Sequence, residues 1–122
     1  MALPIIHLGL ARACVLFSLI MGLYGLWLFA RKEGVGGNLL GIMAVGELLY
    51  IAQVIVGGWM YLEGLRPARP VHYLYGVVLI ISLPGAYAYL RGKDDRREAL
   101  IYGLIGLFLA GVSLRATFTA GF

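Results

Sequence analysis

The chain has 122 residues, of which 61% are apolar and only 13% charged, against about 25% charged in an ordinary soluble domain. One core of this size cannot hide so much apolar surface from water. With a mean hydropathy of +0.90, the composition therefore excludes a soluble globular domain, a disordered chain and a nucleic-acid-binding module. The bilayer is the natural solvent, so the net charge of +4 and the single cysteine, Cys14, bear on membrane orientation and on the absence of a disulfide framework or thiolate-rich metal site.

Four apolar stretches follow in chain order, over residues 4–30, 38–62, 71–90 and 99–118. Each is near the roughly 20 residues that cross hydrocarbon. The first ends at Arg31-Lys32-Glu33-Gly34 and the second at Glu63-Gly64-Leu65-Arg66-Pro67. The third ends in the charged run from Arg91 to Glu98. No basic segment precedes the first stretch, and Arg31-Lys32 stands where a signal peptide would carry a small-residue cleavage site, so it reads as a retained helix. Short connections make sequence neighbours antiparallel, which predicts an all-α, integral-membrane, up-down-up-down four-helix bundle forming one domain over residues 1–122. Pro84 lies inside the third helix, where it removes one backbone hydrogen bond. The loops after the first and third helices carry Arg31, Lys32, Arg91, Lys93, Arg96 and Arg97, whereas the middle loop carries Arg66 and Arg69. This bias puts the first and third loops in the cytoplasm and both termini on the periplasmic or outer side, as in a bacterial inner membrane.

Eighteen glycines, many inside the helices, point to close helix packing or to room for a flat ligand. Trp59, Tyr61, Tyr73, Tyr75, Tyr87 and Tyr89 crowd the helix ends as an interfacial aromatic belt. Cys14 reads as a small packing residue.

Ionisable groups inside a bilayer are costly and need a partner or a purpose. Counted from the cytoplasmic helix ends at 1.5 Å per residue, His72, Arg12, Arg115 and Gly57 all lie roughly 25–27 Å up, and His7 about 34 Å up. Two histidines, two arginines and a helix glycine thus gather near the outer face from all four helices. The stripe His7, Ala11, Cys14, Ser18, Met21, Gly22 and Gly25 is small and mildly polar, as a bundle interior requires. His72 and Gly76 share a side of the third helix, and Gln53 and Gly57 share a face of the second. First and third helices are diagonal in a simple bundle, so His7 and His72 can point at each other across it.

A haem iron takes two axial imidazoles from opposite sides, its macrocycle needs flat clearance, and its propionates seek arginine near water. His7 and His72 are the candidate ligands to haem b, Gly57 and Gly76 the clearance, and Arg12, Arg115 or Arg69 the propionate partners. The other reading of the same residues is structural, with interfacial or hydrogen-bonding histidines and arginines that snorkel to the headgroups. Glu47 stands about 12 Å from the cytoplasmic end by helical rise. It is a candidate for proton relay or for a quinone head group, or for a hydrogen bond to a carbonyl near Pro84 or to a partner subunit. No nucleophile–base pair, phosphate-binding loop or catalytic carboxylate pair is present, so no enzymatic activity is expected of the chain.

The run Ala52-Gln53-Val54-Ile55-Val56-Gly57-Gly58, a short loop, and Pro70-Val71-His72 resembles a helix pair of the haem A synthase family. In that family a Gln–x–x–x–Gly helix precedes a helix that opens with a haem-ligating histidine. The family has two similar four-helix halves, each with histidine ligands on its first and third helices, and this chain resembles one half. The resemblance implies that Gln53 and Gly57 belong to the helix before the ligand, and that His72 and His7 are the second and first ligands. In the family the first ligand is followed directly by arginine, whereas Leu8 follows His7 here and the arginine comes at Arg12. One half does not hold both haem sites, so the resemblance carries over the haem-binding bundle and not the synthase reaction.

The sequence therefore predicts a small b-type cytochrome-like subunit of a respiratory or photosynthetic membrane complex, which holds one haem for electron transfer. Its expected partners are the lipid bilayer and other membrane protein subunits, with a quinone near Glu47 as a further candidate. The alternative is a cofactor-free accessory subunit of such a complex.

Overall fold

A computed structural model describes residues 2–120. They form four helices, α1 (Ala2–Ala30), α2 (Gly37–Leu62), α3 (Val71–Tyr89) and α4 (Arg96–Ala120), and no strand occurs among them. All four are long and apolar enough to cross a membrane, and the chain is a membrane protein with an up-down-up-down bundle. α1 packs against α2 and α4, and α3 packs against the same two helices. The diagonal pairs are thus α1 with α3 and α2 with α4. One end of the bundle carries the start of α1, the end of α4 and the middle loop. The other end carries the two basic loops.

Helix limits differ from expectation mainly in α4, which starts at Arg96 and not near residue 99. Ala99 N–H donates to Asp95 O at 3.1 Å, so the first turn runs through Arg96, Arg97 and Glu98. Charge interrupts a hydropathy pattern without interrupting a helix, because these side chains still have helical backbone bonds available. Glu98 is buried and its carboxylate accepts from Arg97 Nη2 at 3.0 Å. α4 also runs on to residue 120 and not 118, α1 starts at residue 2 and not 4, and α3 stops at residue 89. Pro4 falls in the first turn of α1, where no N–H is needed. α3 continues through Pro84, and Ser82 Oγ donates back to Val78 O at 2.6 Å.

The first three helices end in the same reciprocal pair of backbone bonds, a Schellman cap. After α1, Lys32 N–H bonds Phe29 O and Glu33 N–H bonds Leu28 O. After α2, Gly64 bonds Tyr61 O and Leu65 bonds Met60 O. After α3, Arg91 bonds Ala88 O and Gly92 bonds Tyr87 O. Each cap needs a residue with positive φ, supplied by Lys32 (61°), Gly64 (87°) and Arg91 (55°). A side chain in this region costs about 1–2 kcal/mol that glycine avoids. Lys32→Gly is therefore expected to raise resistance to unfolding by up to about 1 kcal/mol, with the larger backbone entropy of glycine offsetting part of the gain. Denaturant titration of the protein in detergent, followed by helical ellipticity, checks this.

The buried face of α1 is Cys14, Ser18, Met21, Gly22, Gly25 and Leu28, which continues the stripe that begins at His7. α1 and α4 form the tightest pair. A Cβ added at Gly25 would lie 2.7 Å from Gly103 Cα, and one added at Gly106 would lie 2.5 Å from the Gly22 nitrogen. The two backbones touch without intervening side chains. On the other flank of α1, the Ser18 and Tyr50 hydroxyls hydrogen-bond in the fully buried α1–α2 interface.

Candidate functional site

At the end that carries the middle loop, the four helices surround a cavity of about 470 Å³, within the range of about 300–1,000 Å³ usual for small-molecule sites. His7 reaches it from α1, Gln53 and Gly57 from α2, His72 and Gly76 from α3, and Ser113 from α4. Leu65 and Pro67 of the middle loop also line it. Tyr61 and Tyr73 meet across the α2–α3 gap as an edge-to-face pair with centroids 6.1 Å apart.

The two imidazoles belong to the diagonal helices. Their centroids are 6.1 Å apart and their planes cross at 62°. The backbone of α1 is held in place here by Gln53, whose Nε2 donates to His7 O at 2.9 Å. Gly57 makes room for the His7 ring, since a Cβ at that position would stand 3.3 Å from His7 Cε1. Gly76 is under less constraint, because its Cβ would meet Val54 Cγ2 at an ordinary 3.6 Å. Opposite, His72 Nδ1 lies 3.0 Å from Thr119 Oγ1, and that hydroxyl donates to Ala116 O at 3.1 Å.

Buried polar atoms without a hydrogen-bond partner cost about 1–3 kcal/mol each. His7 Nδ1, Gln53 Oε1 and Ser113 Oγ are such atoms, and all three residues line this one cavity. The site is therefore apolar in bulk, and its lining includes two imidazoles and three residues that carry an unpartnered buried polar atom. Among the described residues no group of three or more His, Cys, Asp or Glu side chains could hold a metal ion.

The remaining expected residues lie outside the cavity lining. Arg12 and Arg115 are exposed on the bundle surface. Arg69 is exposed on the middle loop beside the mouth, and its backbone N–H donates to Thr119 O at 3.2 Å. Arg66 is engaged elsewhere, with its guanidinium 3.6 Å over the Tyr61 ring and bonded to Tyr61 O. Glu47 is away from the cavity, and its Oε1 is buried without a partner. Sequence reasoning missed Thr119 and Ser113, because a lone hydroxyl in an apolar helix is an ordinary packing residue. A helical wheel of α4 referenced to the buried Leu109 places Ser113 about 40° from it, on the inner face, but Thr119 about 80° to the other side, so only Ser113 had a signal.

Compared with protein-family models, characterised proteins and solved structures, the chain has no significant match.

Proposed function

We propose that the chain is a small membrane cytochrome-like subunit that holds one b-type haem between His7 and His72. The observation that carries this reading is the spacing of the two rings across the cavity. Imidazoles from diagonal helices that line one cavity would hold a single metal-centred group between them. Here the two ring centres stand 6.1 Å apart, close enough for one group to meet both. The donor set points the same way. Two neutral imidazoles under-ligate a bare divalent ion, which wants four or more protein or water ligands. They suit a metal whose macrocycle fills the other positions.

When bound, haem supplies one-electron chemistry at its iron. The chain's own residues hold and orient the ligands. Gln53 anchors the backbone at His7, Gly57 leaves its ring space, and the lining around them is largely apolar. Arg69, exposed on the middle loop whose Leu65 and Pro67 line the cavity, is the candidate cation for propionates, and Arg12 and Arg115 can serve only by reaching along the surface. The likeness to one half of haem A synthase, centred on residues 52–76, supports the same site. The basic bias of the first and third loops supports an orientation with the cavity near the outer face of a bacterial inner membrane. Electron exchange then calls for neighbouring membrane subunits. A quinone at Glu47 has no support from the cavity.

The test is an absorption spectrum of the purified protein, oxidised and dithionite-reduced, after expression with ample haem. The expected result is a low-spin b-type spectrum with about one haem per chain. A featureless spectrum overturns the reading and leaves a cofactor-free accessory subunit.

A further inference from the structure

We infer that Thr119 is the positioning residue for His72: it fixes the ring's tautomer and leaves Nε2 as the nitrogen free to ligate. This rests on the haem reading for its functional meaning, although the tautomer itself is a property of the chain alone. Thr119 is 1% exposed, and its hydroxyl has a single hydrogen. The hydroxyl has an acceptor for it in Ala116 O, one turn back on α4, at 3.1 Å. With the hydrogen spent there, the oxygen accepts from His72, and this is the direction we assign. His72 Nδ1, 3.0 Å away, must then carry the ring proton, and Nε2 keeps the lone pair. A neutral imidazole has one donor and one acceptor nitrogen, and the bond made by the first selects the second as ligand.

The main chain of Thr119 makes the arrangement stiffer. Thr119 O accepts from Arg69 N–H at 3.2 Å, and Arg69 O in turn accepts from His72 N–H at 3.1 Å. One residue near the end of α4 thus braces both the turn that opens α3 and the imidazole on its second position. The pair is asymmetric, since His7 Nδ1 has no partner. An acceptor on Nδ1–H raises the basicity of the other nitrogen, so His72 is the stronger ligand of the two.

The experiment uses the full chain without haem, labelled with ¹⁵N-histidine in lipid bilayers, with signals assigned through His7→Gln. Nitrogen chemical shifts report which ring atom is protonated. In the wild type and in Thr119→Ser, His72 is expected to show protonated Nδ1 and bare Nε2. In Thr119→Val, which keeps the volume and removes the hydroxyl, a mixture of tautomers is expected. A wild-type His72 protonated at Nε2, or a Thr119→Val ring unchanged from wild type, overturns the inference. A second readout is haem retention and midpoint potential. Thr119→Val is expected to bind haem about 10–100-fold more weakly and at a higher potential, and Thr119→Ser to restore both. If the wild type binds haem while Thr119→Val matches it in affinity and potential, the positioning role fails and the haem site stands. If the wild type binds none, the haem site fails and the nitrogen shifts still decide the tautomer.

Discussion

On the proposed haem reading, purified His72→Ala is expected to show no haem spectrum at all, whereas His7→Ala is expected to retain part of the haem in a high-spin form. The difference follows from the surroundings of the two rings. His72 is oriented by Thr119 and by the braced turn at Arg69. His7 is located by its backbone, through Gln53, while its ring has only the clearance left by Gly57. Removing the oriented ligand takes away the anchor. Removing the other would leave the group held by His72 alone, which would change its spin state without expelling it. Haem content per chain and the reduced spectrum of the two variants check this together. Equal loss in both, or full low-spin signal in either, contradicts the assignment.

Gly106→Leu is expected to be the most damaging substitution for the fold, with a loss of about 3 kcal/mol, the upper end for overpacking. At this position a side chain has nowhere to go, because the first atom beyond Cα already meets the Gly22 backbone at 2.5 Å. A rotamer change cannot relieve contact with a main chain, so α1 and α4 must separate along their whole interface. Gly111→Leu is the control. It lies on the same helix, with nothing within 4 Å of its Cβ position, and leucine is the better helix former. It should leave stability unchanged or slightly raised. Unfolding of the two variants in mixed detergent, followed by helical ellipticity, separates the site-specific clash from any general effect of glycine loss.

These substitutions also show what the sequence disclosed. Apolar length and loop charge were enough for four helices, their antiparallel order and the α1–α3 diagonal, because the bilayer thickness and the demand for internal backbone bonding leave few alternatives. The α1 stripe from His7 to Gly25 was legible for the same reason, as a helix in a bundle hides its smallest residues. The α1–α4 contact was present as matching i, i+3 glycines, Gly22 with Gly25 and Gly103 with Gly106, although nothing in one helix alone names its partner. The start of α4 was obscured because hydropathy reads Arg96–Glu98 as loop. Arg12 and Arg115 shared the depth of the histidines, but depth along a helix says nothing about azimuth, and both lie exposed on the surface. Thr119 was invisible because its importance comes from two hydrogen bonds that exist only once α3 and α4 are side by side.

His7 and His72 both stand within the first two turns of helices that run in the same direction from the same end of the bundle. The cavity they share is therefore electrically one-sided. Full passage across a membrane is worth about 2.3 kcal/mol per charge for each 100 mV, yet a charge that moves between this cavity and the nearer surface crosses only a minor part of that drop. The transmembrane voltage would hardly tilt its equilibrium. An electron held there would be exchanged along one face, and carrying it to the opposite face would require a second centre some way down the bundle or in a neighbouring subunit.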